Sequence, residues 1–214
     1  MRHSVKISNK KVVAAALICT LLAASLSGCG KAAKLPETVV NTSLVVDKEG
    51  KVTSYLVDTF EKEFYSLDGL KEMVQSEADA FNAAHTDAPE EKLVVKAVQN
   101  VGEGATVQVV EEFTDTKTYE EYTEQNLFYG TRVEALADGI SVNLDLVSAA
   151  DGTPADQAKL EKALEKNHLL ITNASAYIYC PYQVLYVSEG VVMGEDGYVD
   201  ASQSDGVVTI LMKK

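Results

Sequence analysis

The chain has 214 residues, of which 46% are apolar, with 19 basic and 32 acidic side chains. All the acidic residues follow Cys29, whereas four of the basic ones precede it. The chain from Cys29 onward therefore has 15 basic and 32 acidic side chains and a formal net charge of −17. Because so negative a surface repels phosphate backbones, we exclude nucleic-acid binding as a function.

The first 28 residues have the pattern of a secretory signal. Four basic residues and no acidic one occur before Val12, and residues 12–26 form a run of fifteen uncharged residues. A basic segment, a short apolar segment and a small-residue exit are typical of such signals. As a helix, the run would be about 22 Å long, short of the roughly 30 Å of a bilayer core, which favours a cleaved signal over a permanent membrane span. A buried core helix is the remaining alternative, and the flanking cations disfavour it.

The apolar run ends in Leu26-Ser27-Gly28-Cys29, which resembles the lipobox of bacterial lipoproteins. The resemblance implies that a peptidase of the signal peptidase II type recognises Leu26, Ser27 and Gly28 and cleaves before Cys29. It also implies a diacylglyceryl group on the Cys29 sulfur. Two or more acyl chains, palmitate among them, would anchor the chain stably to the outer face of the cell membrane.

Three segments follow from this interpretation. Residues 1–28 are the signal peptide, residues 29–36 are a lipidated N-terminus and short tether, and residues 37–214 are a single domain. Beyond Cys29 only Cys180 remains, so an intramolecular disulfide is excluded and the domain depends on its core for stability.

The first half of this domain is predicted to contain two hairpins separated by a long helix. Glycine-containing turns separate short apolar runs, and one stripe of apolar residues recurs at helical spacing between the hairpins. The predicted elements are strands at 42–46 and 51–59, a helix from Ser66 or Asp68 to about Ala84, and strands at 92–99 and 105–113.

The second half is predicted to contain short helices and then several strands. Thr118 with Glu121, and Thr131 with Glu134, have capping-box spacing, and Thr153-Pro154 is typical of a helix start. The last of these helices would bury Leu160, Ala163 and Leu164 and end near Asn167. The remaining predicted elements are a helix stop at Gly139 and strands at 141–147, 184–188, 198–201 and 207–212.

Strands in this order mostly follow strands, which favours antiparallel pairing. We therefore predict the α+β class, with a mostly antiparallel twisted sheet built from hairpins and three or four helices packed on one face. A single domain is favoured, and a division near residues 149–153 is the alternative.

Catalytic and metal-binding motifs are missing from the sequence. There is no His-Glu-x-x-His, Cys-x-x-Cys, calcium loop, Gly-x-Ser-x-Gly or phosphate-binding glycine loop. A thiol nucleophile at Cys180 would need His85 or His168 beside it, and the sequence places neither there. We therefore expect no enzymatic activity, no metal and no cofactor.

Tyrosines cluster near the end of the chain. Tyr177, Tyr179 and Tyr182 lie within six residues, and a strand over 176–180 would direct Tyr177 and Tyr179 to one face. An aromatic shelf of this kind can hold a peptide or a sugar. The alternative is half-buried sheet packing, since tyrosine is common in strands.

The chain as a whole resembles the small lipoproteins of unassigned activity found in Gram-positive anaerobes. The resemblance rests on the lipobox, the α+β pattern and the apolar end with its lysine tail, residues 207–214. The resemblance implies a cell-surface location. Our first hypothesis is a non-enzymatic binding or interaction module, with an envelope protein, a peptide or a sugar as partner. The alternatives are a small solute-binding lipoprotein of a transporter and an envelope hydrolase.

Overall fold

The computed structural model describes residues 32–62, 65–86, 88–102 and 104–214. The predicted signal peptide, with Leu26, Ser27, Gly28 and Cys29, lies outside the described residues. Within the described part of the chain, no helix combines the length and the apolar character needed to cross a bilayer.

The described residues form twelve strands and four helices. The strands are β1 (Ser43–Val46), β2 (Val52–Thr59), β3 (Leu93–Asn100), β4 (Thr106–Phe113), β5 (Leu127–Thr131), β6 (Leu146–Ser148), β7 (His168–Thr172), β8 (Tyr177–Tyr179), β9 (Gln183–Ser188), β10 (Val192–Met193), β11 (Val199–Asp200) and β12 (Val208–Lys213). The helices are α1 (Leu67–Ala84), α2 (Thr116–Thr123), α3 (Arg132–Ala137) and α4 (Gln157–Leu164).

The strands are divided between two sheets. The large sheet has the order β10-β11-β8-β1-β2-β4-β3, and the small sheet has the order β5-β7-β12-β9-β6. Neighbouring strands are antiparallel, except for β1 and β8, which pair in parallel. The predicted hairpins β1–β2 and β3–β4 both form.

The two sheets pack face to face around one main core. The large sheet contributes Leu44, Val52, Phe113 and Ile178 to it, and the small sheet contributes Leu127, Leu170, Ile210 and Met212. Helix α1 covers the β3–β4 end of the same face of the large sheet through Val74, which packs with Val98, Val107 and Val109. Helix α4 packs on the opposite face of the small sheet, where Leu160 and Leu164 contact Leu169 and Leu211.

The mixed class and the mostly antiparallel pairing are confirmed, but a single sheet with all helices on one face is not. The reason lies in β7 and β12, where consecutive residues such as Leu169, Leu170 and Ile171 are all buried. A strand that is apolar on both faces needs a cover on each side. The large sheet supplies one cover and α4 supplies the other, so the helices lie on different faces.

Helix starts follow the best available N-cap. Ser66 caps α1 and a Thr131–Glu134 capping box begins α3, both as predicted. Helix α2 begins after Asp115 instead of at Thr118, and α4 begins after Asp156 instead of at Thr153. In both cases, an aspartate carboxylate accepts a hydrogen bond from the backbone N–H three residues later, an interaction that favours aspartate at this position.

The N-terminal segment, residues 32–42, lies on the face of the large sheet that points away from the small sheet, which we call the outer face. The Gln108 side chain donates to the Val39 carbonyl at 2.7 Å, and the Lys34 N–H donates to the Asp196 carbonyl at 3.2 Å. Ala33 is only 4% exposed. Within the predicted tether, Ala33 is thus packed against the domain, and Lys34 is joined to it by a backbone hydrogen bond.

Candidate binding surface

Two of the three tyrosines singled out in the sequence lie together on the outer face. Strand β8 alternates, so that Ile178 points into the main core while Tyr177 and Tyr179 point the other way. Its parallel pairing with β1 places both tyrosines next to the centre of the large sheet.

A third tyrosine completes this group. Tyr198, just before β11, stacks on Tyr177 with ring centroids 4.8 Å apart and planes inclined by 19°. Its ring also lies 5.5 Å from that of Tyr179. We call Tyr177, Tyr179 and Tyr198 the tyrosine cluster. Sequence reasoning missed Tyr198 because the pairing of β11 with β8 is not local and has no turn signal.

Gly194 makes room for the Tyr198 ring. A Cβ at this position would lie 2.3 Å from two ring carbons of Tyr198, much closer than atoms can approach. The backbone also closes here, since the Gly194 N–H donates to the Tyr198 carbonyl at 2.8 Å. The ring therefore lies flat over the backbone of the β10–β11 hairpin, residues 192–200.

Carboxylates surround the tyrosine cluster. Burial, followed by the nearby charges of Tyr198 and Asp196, raises the pKa of Tyr179 to about 12. Desolvation, together with the charges of Tyr177, Asp200, Asp196 and Glu195, raises the pKa of Tyr198. The phenols of Tyr179 and Tyr198 are thus protonated at neutral pH, and each can both donate and accept a hydrogen bond.

Most polar groups of this surface have no partner within the described part of the chain, although Tyr179 is only 5% exposed and Tyr177 and Tyr198 are half-buried. Among the described residues, none donates to or accepts from the three phenol groups or the Glu195 and Asp196 carboxylates. Asp200 is different, because its carboxylate accepts from the N–H and the hydroxyl of Ser202. The surface therefore combines a stacked aromatic pair with hydrogen-bonding groups that a ligand can use.

Tyr182 lies elsewhere. Pro181 lacks the N–H that would continue the β8 ladder, and the chain turns toward the small sheet. Tyr182 there stacks on His168 at 6.2 Å, and His168 stacks on Tyr129 at 5.3 Å. The Lys48 ammonium lies 5.6 Å from the Tyr182 ring centre. The predicted shelf of three tyrosines is thus split between two places.

The described residues contain no arrangement suited to thiol nucleophilic catalysis. Cys180 is buried, and burial raises the pKa of its thiol to about 12, so it stays protonated. His85 is engaged by the Phe81 carbonyl and by Glu121, while His168 lies between two tyrosine rings. Within the described ranges, no three His, Cys, Asp or Glu side chains converge as a metal site would require.

No protein-family model matches the chain, and neither a curated protein nor a solved structure matches it significantly. An assignment of function therefore rests on the residues of this chain alone. Among them, the tyrosine cluster is the group that best combines aromatic surface, polar groups and exposure.

Proposed function

We propose that this chain is a lipoprotein held at the outer face of the cell membrane through Cys29, and that its domain is a non-enzymatic binding module. The observation that supports binding is the stacked pair Tyr177–Tyr198 on the outer face, beside carboxylates that no described residue engages. The lipobox sequence supports the anchor.

Mass spectrometry of the native product tests the anchor. We expect a chain that begins at Cys29 and carries the mass of a diacylglyceryl group. Cys29→Ala should release the protein from membranes without unfolding the domain, because the anchor and the core are separate. An unmodified thiol with the first 28 residues still attached would contradict the proposal.

The chemistry of the surface favours a basic peptide as the ligand. The faces of tyrosine rings attract lysine and arginine side chains, and Glu195, Asp196 and Asp200 add negative charge around them. A neutral sugar could stack on the same rings, but it would gain nothing from the carboxylates. Acidic peptides would be repelled.

Calorimetric titration with a lysine-rich peptide, an acidic peptide and a neutral oligosaccharide tests this choice. We expect binding of the basic peptide alone, and Tyr198→Ala should weaken it about two- to fivefold, the value of one exposed cation–π contact. The matched control is Tyr65→Ala, because Tyr65 is an exposed tyrosine whose ring also packs against an aromatic ring, that of Phe60, at 4.7 Å. Equal weakening by the two variants would contradict binding at the tyrosine cluster.

The alternative functions find less support. A solute-binding protein of a transporter holds its ligand between two lobes, whereas the two sheets here share one continuous core. An envelope hydrolase using a thiol would need a reactive Cys180, which is buried and protonated.

A further inference from the structure

The N-terminal end of the described chain, at Ala33 and Lys34, contacts the β10–β11 hairpin. Ala33 is buried, and its Cα lies only 3.7 Å from the position of a Cβ built on Gly197. The next residue, Lys34, donates its N–H to the Asp196 carbonyl. Residues 33 and 34 are thus fixed to the turn of this hairpin.

Covalent geometry then limits how far this turn can lie from the anchor. Four residue steps separate Cys29 from Ala33, and a fully extended chain covers at most about 14 Å in four steps. This limit holds for any conformation of the intervening residues. If Cys29 carries acyl chains, its backbone lies at the level of the lipid headgroups, and Asp196–Gly197 lies within roughly that distance of them.

We propose that the anchored protein holds its β10–β11 hairpin against the lipid headgroups of the bilayer, with β3 and α1 on the far side. The proposal rests on the lipidation of Cys29 proposed above. It deepens that function, because the tyrosine cluster would then lie at the membrane surface and would meet ligands present there.

The sheet order defines the far side. Strands β10 and β3 are the two edges of the large sheet, six inter-strand spacings apart. At about 4.8 Å per spacing, they are about 29 Å from each other. Helix α1 packs along β3, so its exposed residues are also far from the hairpin.

The composition of the hairpin indicates which lipids it would meet. Val192 is 62% exposed, and the Tyr198 ring has an apolar body with a polar tip, which suits the headgroup region. Glu195, Asp196 and Asp200 would be repelled by anionic lipids over a Debye length of about 8 to 10 Å. The hairpin is therefore compatible with zwitterionic headgroups, whose ammonium groups are attracted to tyrosine rings.

Single thiol labels on the full lipidated protein test this orientation. Cys180 is buried and the Cys29 sulfur would be acylated, so a fluorophore can be placed selectively through Val192→Cys or, as a matched control, through Ser76→Cys on the exposed side of α1. The protein is reconstituted in phosphatidylcholine vesicles that contain a lipid with a nitroxide quencher on its headgroup. The protein without either substitution should take up no label.

We expect quenching at position 192 and none at position 76. Replacing part of the phosphatidylcholine by phosphatidylglycerol should reduce the quenching at 192, and unchanged quenching would contradict the preference for zwitterionic headgroups. Equal quenching at both positions, or stronger quenching at 76, on a protein shown to be acylated would overturn the orientation while leaving the anchor intact. A product that is not acylated at Cys29 would overturn both the orientation and the proposed function.

Discussion

Two aromatic clusters of this molecule combine rings with carboxylates, but they differ in whether their polar groups form hydrogen bonds within the protein. One is the tyrosine cluster on the outer face. The other, which we call the junction cluster, lies where α1, α2 and β4 meet. It consists of Phe81, Phe113, Tyr119 and Tyr122, with Glu111 and His85 beside the rings.

The polar groups of the junction cluster have partners within the protein. The Tyr122 hydroxyl donates to the Glu111 carboxylate, and the Tyr119 hydroxyl donates to the Gln125 side chain. His85 contacts the Phe81 carbonyl at 2.8 Å and Glu121 at 2.9 Å. Because buried polar groups without partners are costly, this pairing is what a structural cluster requires.

The comparison separates a structural role from a binding role. Aromatic rings and acids alone do not distinguish the two clusters, since both contain them. The distinguishing feature is that the hydroxyls of the tyrosine cluster and the Glu195 and Asp196 carboxylates have no hydrogen-bond partner among the described residues. Substitutions in the junction cluster should therefore change stability, and those in the tyrosine cluster should change binding.

The largest effect is expected for Phe113→Ala. Phe113 is fully buried and packs edge-on against Tyr119 at 5.3 Å. Removing such a ring leaves a cavity and should lower the free energy of unfolding by about 3–5 kcal/mol. Tyr198→Ala should cost about 1 kcal/mol, the value of an exposed aromatic pair. Urea unfolding measures both, and equal losses would contradict the distinction between the two clusters.

A smaller change in the free energy of unfolding, this time an increase, is expected for Glu111→Gln at neutral pH. Burial, together with the nearby charge of Glu77, raises the pKa of Glu111 above its ordinary value of 4.5. The folded state therefore holds this proton to higher pH than the unfolded state does. The stability that Glu111 contributes is complete below pH 4.5 and is lost as the pH rises through the folded-state pKa.

Glu111→Gln should therefore raise the free energy of unfolding at pH 7 and flatten its decrease between acid and neutral pH. The amide oxygen can still accept from the Tyr122 hydroxyl, so the hydrogen bond is kept. Urea unfolding at several pH values gives the comparison. Glu77→Gln is the control. It removes only the nearby charge that helps to raise the pKa of Glu111, so the free energy of unfolding at pH 7 should rise less than in Glu111→Gln. A destabilised Glu111→Gln at neutral pH would show that the charge itself is needed.

His85 should also make the free energy of unfolding depend on pH, more weakly than Glu111 does and in a higher pH range. Its hydrogen bond to the Phe81 carbonyl, and then that to Glu121, raise its pKa above 6.5. Stability from this group is complete below pH 6.5 and is lost as the pH rises through the folded-state pKa. His85→Gln should remove this loss and Glu121→Gln should reduce it. The effect should be small because the pair lies at the surface. Identical pH profiles for wild type and His85→Gln would contradict it.

Local signals account for the parts of the fold that the sequence predicted. The turn at Gly50 and the short connection between β3 and β4 join strands that are neighbours in the chain, and the spacing of Thr131 and Glu134 defines a cap within one helical turn. The Asp196-Gly197 turn likewise closes the β10–β11 hairpin. Asp205-Gly206 does not close one, because the chain crosses there from β11 in the large sheet to β12 in the small sheet.

Long-range pairing explains what the sequence did not predict. The small sheet places β12 between β7 and β9, and β5 pairs with β7 about 40 residues further along the chain. No short motif encodes such partners. The same applies to the candidate site, where Tyr177 and Tyr179 follow from strand alternation. The contribution of Tyr198 and the separation of Tyr182 depend instead on pairing and on the turn at Pro181.

The smallest effect on stability, and the sharpest test of the tyrosine cluster, is expected for Gly194→Ala. The added methyl group would occupy the place of the Tyr198 ring, but that ring lies at the surface and can rotate away about its own side-chain bonds. The backbone of Gly194 does not have the positive φ that would itself penalise alanine. Losing the stacked pair should cost about 1 kcal/mol, as in Tyr198→Ala, but alanine restricts the unfolded chain more than glycine does, which returns about 0.4–1 kcal/mol. The free energy of unfolding should therefore change by only about 0.5 kcal/mol or less.

Binding and aromatic packing should respond more strongly to Gly194→Ala. Displacing the Tyr198 ring breaks its stacking on Tyr177, so the near-ultraviolet circular dichroism of the tyrosines should change and the affinity for the basic peptide should fall as in Tyr198→Ala. Gly104→Ala is the matched control, because no atom lies within 4 Å of a Cβ at that position. Gly104 has a φ of +81°, so this variant carries backbone strain without displacing a ring, and it should lose stability but keep its affinity. If Gly194→Ala retained full affinity while its dichroism showed a displaced ring, the stacked pair would not be the binding element, and the contrast with the junction cluster would lose its functional meaning.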